Sequence, residues 1–299
     1  MAWTMRQQAA ETVTDVFLED DRIAIVLAEI STDYFERAFA RDPLRAVNVG
    51  IMEQTMVGVA AGFAMEGFHP IAHSLSPFMA ERPYEQLKLD FGYQGLGGTF
   101  VGVGGSYDYA ESGGTHHAPA DAGVMLGIPG MEVLIPGHGD EVDQLLRSSY
   151  ANGRPTYVRA SVTTNAEAHV AEPGRIEVLR RGNDATVLAF GPMLDRTLAA
   201  CGGLDVTVAY ATSLRPFDAG GLAAIVGDAP VLVTAEPFYE GTVSPVVTAA
   251  LMDRPMRYVS IGVPRVFIHS YGEPEDLDAD LGLDAAGIGR RLPELIAIR

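Results

Sequence analysis

Short apolar runs alternate along the chain with longer stretches in which apolar residues recur at helical spacing. That alternation predicts strands of a parallel sheet joined and covered by helices. The strand-length runs are Ile23–Leu27, Ala46–Val49, Pro70–His73, Thr99–Val103, Glu132–Ile135 and Thr156–Arg159. Helical patterns fall near residues 4–18, 53–66, 78–91, 119–126 and 139–151. They make one α/β unit over residues 1–162. Residues 163–182 lose the periodicity and, with Pro173-Gly174, have linker composition. Residues 183–299 resume it with strands Thr186–Phe190, Val206–Ala209, Val231–Ala235 and Met256–Ser260 and a terminal helix around Ile288–Ile298. The predicted fold class is α/β, with two consecutive domains that each hold a mainly parallel sheet covered by helices.

Composition fits that picture: 299 residues, 47% of them hydrophobic, suffice for two cores. A net charge of −18 repels nucleic acid. The longest uncharged apolar run, residues 55–65, is well short of the roughly 20 residues a membrane span needs. Cys201 is the single cysteine, so no intrachain disulfide can form, and without a nearby histidine it reads as structural. The opening residues Met1-Ala2-Trp3-Thr4-Met5-Arg6 lack an apolar signal core, so cytoplasmic location is the expectation.

Candidate chemistry begins at Val47-Asn48-Val49-Gly50-Ile51-Met52-Glu53-Gln54, where an apolar strand ends in a glycine turn and delivers one carboxylate at a helix start. The helix behind Glu53 is so rich in small residues that it must pack closely, which places the acid at a buried junction. A plainer reading makes Glu53 a first-turn acid favoured by the helix dipole. Downstream, Gly113-Gly114-Thr115-His116-His117 follows a strand and a glycine-rich loop, where open α/β sheets place their ligand sites. Histidine there can exchange protons with a substrate oxygen. Adjacent histidines diverge, so the pair is a poor metal chelate, and no metal ligand set is expected from this chain. Gly102-Val103-Gly104-Gly105 matches neither the dinucleotide nor the Walker spacing and reads as a tight turn. Phe78 offers an aromatic face near the same sheet end, or else a core contact.

In order, Gly50-Ile51-Met52-Glu53-Gln54, Phe78 with Arg82, Thr115-His116, and Ile128-Pro129-Gly130-Met131 resemble the motifs of transketolases. Asp184–Gly191 and Ser213-Leu214-Arg215-Pro216-Phe217-Asp218 are similar to C-terminal-domain motifs of transketolase and 1-deoxyxylulose-5-phosphate synthase, so the resemblance covers essentially the full length. It implies a pyrimidine-binding domain followed by a transketolase C-terminal domain, and thiamine diphosphate as cofactor. By that similarity Glu53 contacts the pyrimidine ring nitrogen and favours the imino tautomer whose exocyclic nitrogen deprotonates the thiazolium. Phe78 stacks on the pyrimidine, with Arg82 and Met52 beside it. His116 contacts substrate oxygen, Arg6 helps hold a sugar phosphate, and Ser112, His117 and Arg159 complete the substrate side. A dry site is required of Glu53, and Met52, Met56 and Val57 suit one.

The family holds the diphosphate and Mg²⁺ through a Gly-Asp-Gly segment, and none occurs in this chain. The resemblance therefore implies a split enzyme. A separate N-terminal diphosphate-binding subunit would supply the Mg²⁺ ligands in an α₂β₂ assembly, with self-association of this chain. Ser112 replaces the family's Asp before Gly-x-Thr-His, Val162 falls where a second arginine is expected, and the phosphate-contacting histidine before the glycine-rich loop has no counterpart. Weaker anion binding points to a ketol or acyl transfer on a small, unphosphorylated substrate. Two other readings stay open: the β-subunit of a 2-oxo acid dehydrogenase E1, and a non-catalytic partner that kept the fold.

Overall fold

The structure is a computed structural model and describes residues 3–227, 229 and 231–297. Met1, Ala2 and Ile298, which the predicted first domain and terminal helix include, lie outside the described residues. Strands β1 (Ile23–Leu27), β2 (Ala46–Asn48), β3 (His69–Leu75), β4 (Gly98–Val103), β5 (Glu132–Leu134) and β6 (Pro155–Ala160) pair in parallel, in the order β5-β6-β4-β3-β1-β2. Their runs are apolar on both faces because helices cover both. Helices Met5–Glu19 and Gly139–Ser149 bury Phe17, Val142 and Leu145 on one face. Helices Glu53–Met65 and Asp121–Leu126 bury Met56, Val57, Ala122 and Met125 on the other.

In the second half, β7 (Ile176–Arg180), β8 (Ala185–Phe190), β9 (Val206–Ala211), β11 (Val231–Tyr239) and β12 (Arg257–Val263) form a five-stranded sheet in the order β12-β11-β8-β9-β7. The remaining strand, β10 (Ser213–Arg215), leaves that half and pairs antiparallel with β5, adding a seventh strand to the first sheet. The apolar cluster beneath helix Glu53–Met65 likewise runs on through Leu188, Phe190, Leu222 and Phe238. Two sheets thus share one continuous interior. Among the described residues no helix is long and apolar enough to cross a membrane.

Three elements differ from the expectation. The predicted helix over 78–91 breaks into Ser76–Ala80, Tyr84–Gln86 and a π-helical stretch Leu87–Tyr93. Pro83 sits at the break; it has no N–H for a helical bond and crowds the residue before it. The predicted linker contains β7, an antiparallel edge strand of mixed apolar and charged residues, half-buried along most of its length. Residues 213–215 read as part of a C-terminal motif, yet they pair with the first sheet. Cys201 is buried at the end of helix Leu194–Ala200, and burial pushes its thiol up to about 11, which leaves it unreactive.

Candidate functional site

Glu53 opens the helix that follows β2. The chain turns through Gly50 at φ 75°, a conformation cheap for glycine, and Asn48 Oδ1 accepts the Gly50 amide at 3.0 Å. The result is a carboxylate in the first helical turn, where the dipole favours it, yet only 1% exposed. Its Oε2 accepts from Arg82 Nη1 at 2.7 Å, whereas Oε1 is buried with no hydrogen-bond partner in the protein. An unpartnered buried acceptor costs about 1–3 kcal/mol. Met56 and Val57 are fully buried around it, but Met52, expected beside the cofactor, is 55% exposed at the helix N-cap.

The break at Pro83 swings Arg82 back over its own preceding helix. Its guanidinium carbon lies 4.1 Å above the Phe78 ring centroid, and Phe78 meets the His116 ring edge-to-face at 5.3 Å. Glu53, Arg82, Phe78 and His116 therefore form one contiguous chain of contacts. Thr115 Oγ1 lies 2.9 Å from His116 Nδ1 and orients the ring. His117 points elsewhere: it is buried, its Nε2 lacks a partner, and burial holds its pKa low, with the His116 charge adding to the effect. Ser112 is exposed on the same loop.

Arg6 gathers a second group. Its Nε donates to Ser31 Oγ at 3.0 Å, Ser31 Oγ lies 2.7 Å from His73 Nε2, and its guanidinium sits 5.5 Å from the Tyr34 ring centroid. Burial raises the pKa of the Tyr109 hydroxyl, and the Arg6 charge nearby opposes the shift. Burial, with Arg6 nearby, lowers His73 to about 3, so the imidazole is neutral. Ser31 adopts φ 65°, a strained conformation for a serine, at the cap of the short 3-10 turn Thr32–Phe35 that follows β1. Tyr109 packs over Gly104 so closely that a Cβ there would lie 2.0 Å from its ring. Sequence reasoning missed Ser31, His73, Tyr34 and Tyr109. Of these only His73, a polar residue closing an apolar strand run, left a signal.

Arg159 corrects the expectation of a substrate ligand. It is wholly buried, with Nε bonded to both Asp121 oxygens at 3.0 and 2.8 Å, Nη1 to Ser161 Oγ and Nη2 to the Pro237 carbonyl. The Arg159 position lies on β6, central in the sheet, so its side chain enters the core and clasps the second domain. Gly105 leaves room for it, since a Cβ there would lie 2.3 Å from the guanidinium.

The two-domain α/β chain thus brings a buried first-turn glutamate, an arginine, an aromatic ring and a histidine together beyond the strand ends of the first sheet. Residues 2–165 match the family model "Transketolase, pyrimidine binding domain" and residues 174–288 match "Transketolase, C-terminal domain". The chain belongs to the transketolase family. It is 39% identical over 284 residues to an uncharacterized 33.6 kDa protein in the fasciation locus of Rhodococcoides fascians, covering 94% of this chain and 91% of that one. It is 31% identical to the 6-deoxy-6-sulfo-D-fructose transketolase subunit of a Clostridium strain, covering 76% and 74%. Against the 1-deoxy-D-xylulose-5-phosphate synthase of Aromatoleum aromaticum it is 30% identical, covering 95% of this chain and 47% of that protein. A solved structure described as a split gene transketolase, inactive beta4 tetramer, superposes with a TM-score of 0.86 at 25% identity, covering 100% and 99%. The family and these relatives imply dependence on thiamine diphosphate.

Proposed function

We propose that this chain is the pyrimidine-binding and C-terminal subunit of a split thiamine diphosphate-dependent transferase. It moves a two-carbon ketol or acyl unit from a ketose or 2-oxo donor to an aldehyde acceptor. One observation carries the reading: Glu53 Oε1 is buried, unpartnered and set in an apolar surround beside an aromatic ring. Such an oxygen suits a ring nitrogen that brings its own proton, so the pyrimidine end of the cofactor fits the residues present. Bound there, the cofactor supplies a thiazolium carbon nucleophile able to carry the transferred unit. Glu53 shares the proton of the ring nitrogen, and Arg82 fixes the carboxylate through Oε2. Phe78 bounds the ring, and His116 donates to or accepts from the substrate oxygen.

Among the described residues, no group of three His, Cys, Asp or Glu side chains is arranged to hold a metal ion. Mg²⁺ and the diphosphate are assigned to a partner subunit, a reading supported by the length match to relatives that are themselves called subunits. Self-association of this chain is supported by helix Glu53–Met65, where nothing lies within 4 Å of a Cβ placed on Gly58 or Gly62. Exposed Ile51, Met52 and Met65 flank that small-residue face. On the substrate side, Val162, half exposed and apolar, stands where a second arginine is expected, which supports a donor without a phosphate.

Calorimetric titration of thiamine diphosphate with Mg²⁺, with and without the product of the adjacent gene, tests the split site. Binding only in the presence of the partner is expected; tight binding by this chain alone would overturn it. Glu53→Gln in the reconstituted pair should lower kcat by at least about 100-fold, as loss of acid–base catalysis does, and unchanged kcat would point to a non-catalytic chain. Equal turnover of fructose 6-phosphate and fructose would support an unphosphorylated donor; strict phosphate dependence would exclude it.

A further inference from the structure

The loop from Ser106 to Ala118 carries Ser112, His116 and His117. Its foot is closed by backbone bonds of 3.3 and 2.6 Å between Ser106 and Ala118. The second domain grips this loop twice. Near its start the buried Tyr107 hydroxyl donates to Asp278 at 2.6 Å, and Asp278 is paired to Arg196 at 2.7 Å. At its crest Gly113 adopts φ 70°, ψ −163°, a region open essentially to glycine. Against that glycine lies Tyr271, so close that a Cβ on residue 113 would be 2.5 Å from Tyr271 Cε1. Tyr271 belongs to the segment between β12 and helix Pro274–Leu281 and is 69% exposed.

We propose that Tyr271 is a positioning residue: it reaches from the second domain to hold the Gly113 crest, and through it Ser112 and His116, at the substrate end of the site. The role of His116 rests on the transferase reading; the contact itself does not. Left alone, Glu111-Ser112-Gly113-Gly114-Thr115 has no apolar side chain to bury and two glycines with large conformational entropy. Its own bonds are short-range: the Ser112 amide to the Tyr109 carbonyl at 3.0 Å and the His116 amide to the Gly113 carbonyl at 2.9 Å. The ring of Tyr271, which has only two side-chain torsions to fix, supplies an outside wall at small entropic cost. The second domain thereby sets the geometry of the first domain's histidine.

Hydrogen exchange on the full chain tests this. Tyr271→Ala should speed exchange across residues 109–117 by at least about 10-fold, while Tyr271→Phe keeps the wild-type rate. Because the ring is mostly exposed, the thermal midpoint should stay within about 1 °C. Wild-type exchange in Tyr271→Ala, or acceleration spread evenly over both sheets, would overturn the proposal. In the reconstituted pair, Tyr271→Ala should raise the KM for a ketose donor at least about 5-fold, leave thiamine diphosphate affinity unchanged, and be rescued by Tyr271→Phe. A loosened loop with unchanged donor KM would overturn the link to substrate. If the wild-type pair transfers nothing, the transferase reading fails, and the exchange result still decides whether Tyr271 holds the loop.

Discussion

Replacing Arg159 by methionine separates a structural clasp from a substrate ligand. The change removes bonds of 2.8 and 3.0 Å to Asp121, one of 3.1 Å to Ser161 and one of 3.0 Å to the Pro237 carbonyl. Asp121 stays fully buried and keeps the Tyr157 hydroxyl at 3.0 Å and the Ala122 amide at 2.7 Å. Breaking one side of a buried pair costs about 3–5 kcal/mol, and the two remaining donors place the loss near about 3 kcal/mol. With an unfolding entropy of about 2.1 cal/mol/K per residue, a chain of 299 residues should lose roughly 5 °C in Tm. Adding Asp121→Asn removes the stranded charge and should recover about 1–2 kcal/mol, or 2–3 °C. Scanning calorimetry of the three proteins measures both steps. An unchanged Tm with a raised donor KM would refute the structural assignment, as would a double variant no more stable than the single one.

Two groups give the chain a concealed pH dependence. Burial raises Asp108 from 3.8 to about 6, with Arg159 opposing, and lowers His73 from 6.5 to about 3. Asp108 therefore contributes stability that is present below about pH 4 and lost as pH rises through 6; His73 contributes stability present above 6.5 and lost as pH falls towards 3. Between pH 4 and 6 the slopes cancel, so as pH falls His73→Gln should gain, and Asp108→Asn should lose, about 1.4 kcal/mol per unit. Urea denaturation at pH 4, 5 and 6 checks this, and slopes of one sign in both variants would contradict it. Gly58→Gln should leave the monomer folded, since nothing lies within 4 Å of the added Cβ. It should weaken self-association by at least about 10-fold in sedimentation, as a filled helix contact does; unaltered association would free that face.

Much of the fold was legible because strand burial on both faces writes itself as continuous apolar runs, as in Ile23–Leu27 and Thr186–Phe190. The candidate site was partly legible for a related reason. Glu53 follows β2 closely in a short glycine-marked turn, and His116 lies in the glycine-rich loop after β4, so both carry a mark in the local sequence. Ser31 carried no such mark, since its importance lies in touching Arg6 and His73, which are 25 and 42 residues away. Arg159 shows the opposite failure: an arginine near the site reads as a ligand until its burial against Asp121 is seen.

The sequence by itself determined the alternation of strands and helices, the family, and the carboxylate at the head of its helix, because each depends on periodicity or on a few adjacent residues. Only the tertiary structure decided that β10 joins the other half's sheet, that Arg159 is spent inside the protein, and that Tyr271 lies on the loop of His116. Those outcomes depend on which distant surfaces meet and which charges lose their water, and neither is encoded in any single stretch of the chain.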